Sequence, residues 1–165
     1  MKFFKFGIIS FIVLNYLALG CATAPSQFSD YPSSPLSRFD KELFARALLH
    51  QKKGQIEPAI VLWNKFLQKN PNSFAARNNL GLLYYANDDI TQAIHHFGQG
   101  FKLRPEAVQL KMHLARVLKV RAGIFEEDRE YDEAIRDLRR VAQLSPVKEQ
   151  EGVERQIEAL EDQIF

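Results

Sequence analysis

The stretch 47–71, ALLHQKKGQIEPAIVLWNKFLQKNP, and the stretch 81–105, GLLYYANDDITQAIHHFGQGFKLRP, decide the fold, because the residue classes of the first recur 34 positions later in the second. Ala47 recurs as Gly81, His50 as Tyr84, Ala59 as Ala93, Trp63 as Phe97 and Pro71 as Pro105. Within each stretch a polar turn interrupts the apolar pattern, Lys52-Lys53-Gly54 in one and Asn87-Asp88-Asp89 in the other. Asp89 followed by Gln92 three places on reads as a helix start, the aspartate capping the new helix. Pro71 and Pro105 read as helix stops, since proline cannot continue the hydrogen-bonded ladder.

A 34-residue period with small, small, aromatic and proline markers resembles the tetratricopeptide repeat, a pair of antiparallel helices. The resemblance places Ala47 and Gly81 on the first helix of a pair and Ala59 and Ala93 on the second, where small side chains let the helices approach closely. Trp63 and Phe97 are expected to fill the space between neighbouring pairs. A third unit appears at Tyr131-Asp132-Glu133-Ala134-Ile135 and ends at Pro146, but its markers fall 41 residues after those of the second, so seven residues are extra. The match of Pro105 to Leu118 with the first helix puts the insertion around Lys119 to Glu130. Seven residues are nearly two helical turns with a drift of about 20°, so the first helix can lengthen without turning its buried face away. A loop near Gly123 is the alternative. The tail carries Val153, Ile157, Leu160 and Ile164 on one stripe, as a helix capping the open end of a solenoid would. The expected fold is an all-α solenoid of about three helix pairs (39–71, 72–105 and 106–146) with a capping helix over 147–165.

A chain of 165 residues, 46% hydrophobic and 25% charged, has room for one ordinary domain. The N-terminus, MKFFKFGIISFIVLNYLALGC, joins Lys2 and Lys5 to an apolar run that ends at the only cysteine, Cys21. The run is shorter than the roughly 20 residues a membrane span needs and matches a signal peptide. Ala18-Leu19-Gly20-Cys21 resembles a lipobox, which implies cleavage after residue 20 and lipid on Cys21. The resemblance, with Ala22 in place of the aspartate that retains such proteins at the inner membrane, implies a bacterial envelope lipoprotein on the periplasmic face of the outer membrane. An uncleaved anchor and a secreted protein cut near Ala22 or Ala24 are the alternatives. Residues 21–38, with Pro25, Pro32, Pro35 and interspersed serines, read as a tether; a docking peptide anchored by Phe28 and Tyr31 is the other possibility. Without Lys2 and Lys5 the formal charge of +2 falls to zero, with 20 basic and 20 acidic residues, and nothing resembles a nucleic-acid-binding stripe.

Tetratricopeptide arrays bind extended peptides or partner helices on a face lined by the first helix of each pair. Carried onto this chain, the lining positions are Lys41, Phe44, Leu48, Gln51 and Lys52, then Ala75, Asn78, Asn79, Leu82, Tyr85 and Ala86, then Gln109, Met112, Arg116, Lys119 and Val120. Asn78 or Asn79 would pair with a partner's backbone, Phe44, Leu82, Tyr85 and Met112 would give apolar contact, and Lys41, Lys52, Arg116 and Lys119 would meet a carboxylate. Leu48 stands where the intracellular carboxylate clamp has asparagine, so that clamp is not expected. Lys102 to Arg121 carries six basic residues against one acid, and Glu126 to Glu133 six acids against one arginine. This split suits partner steering or mutual compensation along a helix. No phosphate loop, nucleophile elbow or zinc-helix motif occurs, so neither enzyme chemistry nor a metal or other cofactor is expected. The expected role is a lipid-tethered adaptor for an unidentified envelope protein or peptide; a structural subunit of a larger envelope complex is the alternative.

Overall fold

The computed structural model describes residues 36–164. The signal-peptide and lipidation assignments, and nearly all of the tether, lie outside them. Among the described residues the chain forms helices and no strand: α1 (Arg38–Lys52), α2 (Ile56–Lys69), α3 (Phe74–Ala86), α4 (Ile90–Leu103), α5 (Val108–Glu127), α6 (Tyr131–Leu144) and α7 (Val147–Glu161). Each helix packs on the next in chain order, giving a stack of three helical hairpins closed by α7. The stack begins slightly before residue 39: Leu36 is buried against the first hairpin, and Ser37 caps α1 by accepting from the Asp40 N–H at 3.1 Å.

All three hairpins turn in the same way. Gly54, Asp88 and Arg129 have φ of 69°, 59° and 62°. The next residue in each turn donates back across five positions, Gln55 to His50 O (3.0 Å), Asp89 to Tyr84 O (2.9 Å) and Glu130 to Phe125 O (2.8 Å). This is the left-handed helix ending that satisfies the last carbonyls. Asp89 then serves twice, since its carboxylate also accepts the Gln92 N–H at 3.0 Å and starts α4.

The pairs stack through a fixed stripe on each first helix. Ala76, Leu80 and Leu83 of α3 are buried against the first hairpin, and Leu110, Leu114 and Val117 of α5, each 34 residues on, are buried in the same way. The equivalent residues of α1, Glu42, Arg46 and Leu49, are exposed. The seven inserted residues lengthen a helix: α5 has 20 residues where α3 has 13. The tail stripe holds for Val153, Ile157 and Leu160, all buried, but Ile164 is exposed because α7 ends at Glu161.

Two apolar clusters result. The first joins α1 and α2 to the buried stripe of α3, and the second joins α4 to α7. Half-buried Tyr84 touches both. Trp63, fully buried, lies in the cluster that joins the first hairpin to the stripe of α3, with its ring edge-on to Phe44 (4.8 Å) and Phe66 (6.0 Å). Phe97 does reach both ways, lying on Gly81 of its own hairpin and 5.1 Å from the His113 ring of the next.

A Cβ on Gly81 would stand 2.6 Å from the Phe97 ring, whereas one on Gly123 of α5 would meet nothing within 4 Å. Gly81→Ala should therefore lose about 1–3 kcal/mol of stability through overpacking. Gly123→Ala should gain about 0.5–1 kcal/mol from helix propensity. Urea unfolding of both variants tests the pair of signs.

Candidate functional site

The face formed by α1, α3 and α5 divides into residues consumed by the stack and residues left on its surface. Trp63 Nε1 donates to Gln51 Oε1 at 3.1 Å, and Gln51 Nε2 donates to Asn79 Oδ1 at 3.4 Å, tying the first hairpin to α3. Between α3 and α5, His113 Nδ1 donates to Asn78 Oδ1 at 3.0 Å. Asn78 is 7% exposed. It is thus a link between repeats and not a free hand for a partner's backbone. Phe44 also turns inward, onto Trp63 and Phe66. Ala75 is buried, and Leu48 and Ala86 are half-buried.

What remains accessible is consistent in sign. Lys41, Lys52, Gln109, Met112, Arg116, Lys119 and Val120 are exposed, and Leu82 and Tyr85 are half-buried against the second cluster. Helix α3 contains no carboxylate, and α5 contains none before Glu126. Helix α1 carries Asp40 and Glu42, but neither is among the lining positions, which hold four exposed cations over an apolar floor.

Two histidines pack among the helices behind it, His96 buried and His113 half-buried. His96 stacks on Tyr84 at 5.3 Å with planes 8° apart, and its buried Nδ1 has no hydrogen-bond partner among the described residues. Burial, then the charges of His95 and Arg77, lower its pKa from 6.5 to about 4. Burial, then Arg116, lower that of His113 from 6.5 to about 4. Both are neutral in the folded protein at pH 7.

Sequence reasoning missed one ion pair. Arg121, inside the inserted segment, grips Asp137 of α6 with two bonds of 2.6 and 2.8 Å, and the Asp137 side chain is 4% exposed. The hydrogen bonds to Asp137 raise the pKa of Arg121, against a smaller opposing effect of burial. The signal was a lone carboxylate on the apolar stripe Ala134, Ile135, Leu138 and Val141 of α6. Among the described residues no three His, Cys, Asp or Glu side chains gather as a metal site would require.

Stacked helical hairpins with a shared inner face define a repeat-built scaffold. Tetratricopeptide-repeat family models match residues 43–73, 62–95 and 79–148, together more than half of the chain. The chain belongs to the tetratricopeptide repeat family. It is similar in shape to the Yersinia enterocolitica type III secretion chaperone SycD in complex with a peptide of the translocator YopD (TM-score 0.51, 18% identity, covering 79% of this chain and 98% of that one). It is also similar to the CopN–Scc3 complex (TM-score 0.50, 14% identity, covering 91% of this chain and 97% of that one). In sequence it is similar to the protein O-mannosyl-transferase tmtc2 of Xenopus laevis, 22% identical over 103 residues. That match covers 61% of this chain and only 12% of the relative's length. At these identities the likeness is one of fold.

The histidines make stability depend on pH. The unfolded chain takes up protons near pH 6.5 and the folded chain only near 4, so their contribution is complete above about 6.5 and is lost as pH falls toward 4. The urea midpoint should drop across that window. His96→Phe, which forfeits no hydrogen bond, should flatten the drop by roughly half, as one of two similar contributors is removed.

Proposed function

We propose that the protein is a membrane-tethered adaptor, held by lipid on Cys21 at the periplasmic face of a bacterial outer membrane, whose α1–α3–α5 face holds an extended segment of a partner protein. One observation carries the choice of ligand: the exposed charged lining residues Lys41, Lys52, Arg116 and Lys119 are all cations, and neither α3 nor α5 before Glu126 brings a carboxylate to the face, Asp40 at the start of α1 being bonded to Ser37. A segment with acidic side chains or a free carboxylate, and apolar residues for Met112, Leu82 and Tyr85, complements that face. The peptide complex of SycD, a protein of similar fold, supports this use of the scaffold. The protein binds its partner and does not transform it, and it needs no cofactor.

A photo-crosslinking residue at exposed Met112, in cells, should trap a defined envelope protein. Arg116→Glu with Lys119→Glu should cut the yield at least tenfold, since charge reversal replaces attraction with repulsion. Equal yield from the charge-reversed face would remove it as the binding surface. Independently, Cys21→Ser should shift the protein from the membrane to the soluble fraction, because stable anchoring needs the acyl chains that cysteine carries.

A further inference from the structure

The seven inserted residues carry α5 past the end of α3. The stripe by which α5 packs on the preceding hairpin, Leu110, Leu114 and Val117, continues at the same spacing of four and three to Arg121 and Ile124. Helix α3 stops at Ala86, so the end of this stripe has no helix beneath it and overhangs the turn between α3 and α4. Ile124 is consequently 45% exposed. The overhang and the turn enclose an open cleft of about 630 Å3, lined by the turn residues Asn87 to Thr91 and by Arg121, Ile124 and Phe125.

Its chemistry is opposite to that of the α1–α3–α5 face. Asp88 and Asp89 contribute two carboxylates with no ion pair among the described residues. The cation in the wall, Arg121, is neutralised by its double bond pair with Asp137. Ile90, Ile124 and Phe125 form an apolar wall beside the two acids. An aliphatic stem ending in a cation matches both halves at once: the stem covers apolar surface and the head meets carboxylate. The cleft is broadly open to solvent, so a side chain can enter it directly from a partner's surface. The chain's own segment 22–35 contains no lysine or arginine and cannot supply that group.

We infer that this overhang cleft is a second docking site, which seats a lysine or arginine side chain from a basic, amphipathic segment of a partner protein. It is independent of the proposed peptide face, because the two use different residues of α5 and opposite charge.

The test uses the full chain in nonionic detergent micelles and two fluorescein-labelled capped hexapeptides, Gly-Ser-Leu-Arg-Leu-Gly and the same peptide with glutamate for arginine, read by fluorescence anisotropy. The arginine peptide should bind saturably and the glutamate peptide should not. Asp88→Asn with Asp89→Asn keeps the left-handed turn and the helix cap, since asparagine tolerates both, and should weaken binding at least tenfold. Ile124→Ser, at an exposed position, should weaken it several-fold. Arg116→Glu with Lys119→Glu should leave it within about twofold, which separates failure here from failure of the peptide face. The inference is overturned if the arginine peptide does not saturate at millimolar concentration, or if it binds equally to the Asp88→Asn, Asp89→Asn variant. It is also overturned if the full chain sediments as an oligomer that this variant dissociates, because a second copy would then occupy the cleft.

Discussion

The aromatic ring of Phe97 resting on the bare Cα of Gly81 sets the geometry of the whole stack. A Cβ there would lie 2.6–2.8 Å from three carbons of the ring, so α3 and α4 can meet at this distance only because Gly81 has no side chain. Phe97 belongs to the second apolar cluster, and the helix that carries Gly81 gives its buried stripe to the first. The same ring meets His113 of α5, which is hydrogen-bonded to buried Asn78 of α3. The spacing of three helices thus follows from one missing side chain, and close-packed interiors transmit such a constraint without slack.

Much of the scaffold was legible because its steric demands recur. Small residues at Ala47, Gly81, Ala59 and Ala93 mark close approaches, and prolines mark helix ends. Seven extra residues can extend a helix while nearly keeping its face, and α5 does so. The left-handed turn was visible at Gly54, but Asp88 and Arg129 occupy the same conformation without glycine's signal. Ile164 fits the spacing of its stripe and still misses the core, because periodicity cannot show that α7 ends at Glu161.

The binding face was legible only in outline. Whether Asn78 offers its amide to a partner or to His113 depends on which residue lies opposite it 35 positions away, and no local pattern records that. Phe44 looked like an apolar anchor because its place in the repeat faces inward, yet Trp63 and Phe66 claim it. Long stems carry charged ends out to solvent, so Lys41, Lys52, Arg116 and Lys119 are exposed. The overhang was hidden for a similar reason: Arg121 and Ile124 continue a buried stripe in sequence, and only the shorter length of α3 leaves them uncovered.

The seam between the two clusters has a mechanical consequence. Repeat stacks hold together through neighbour contacts alone, so load is borne one unit at a time. A pull entering the described residues from their N-terminal side reaches α1 first, whose outer stripe of Glu42, Arg46 and Leu49 is exposed and leans on no other helix among the described residues. The first hairpin would peel before force arrives at Phe97, and the remaining hairpins with their terminal helix would keep a complete apolar interior of their own. The described helices would therefore yield in stages, the first hairpin before the rest.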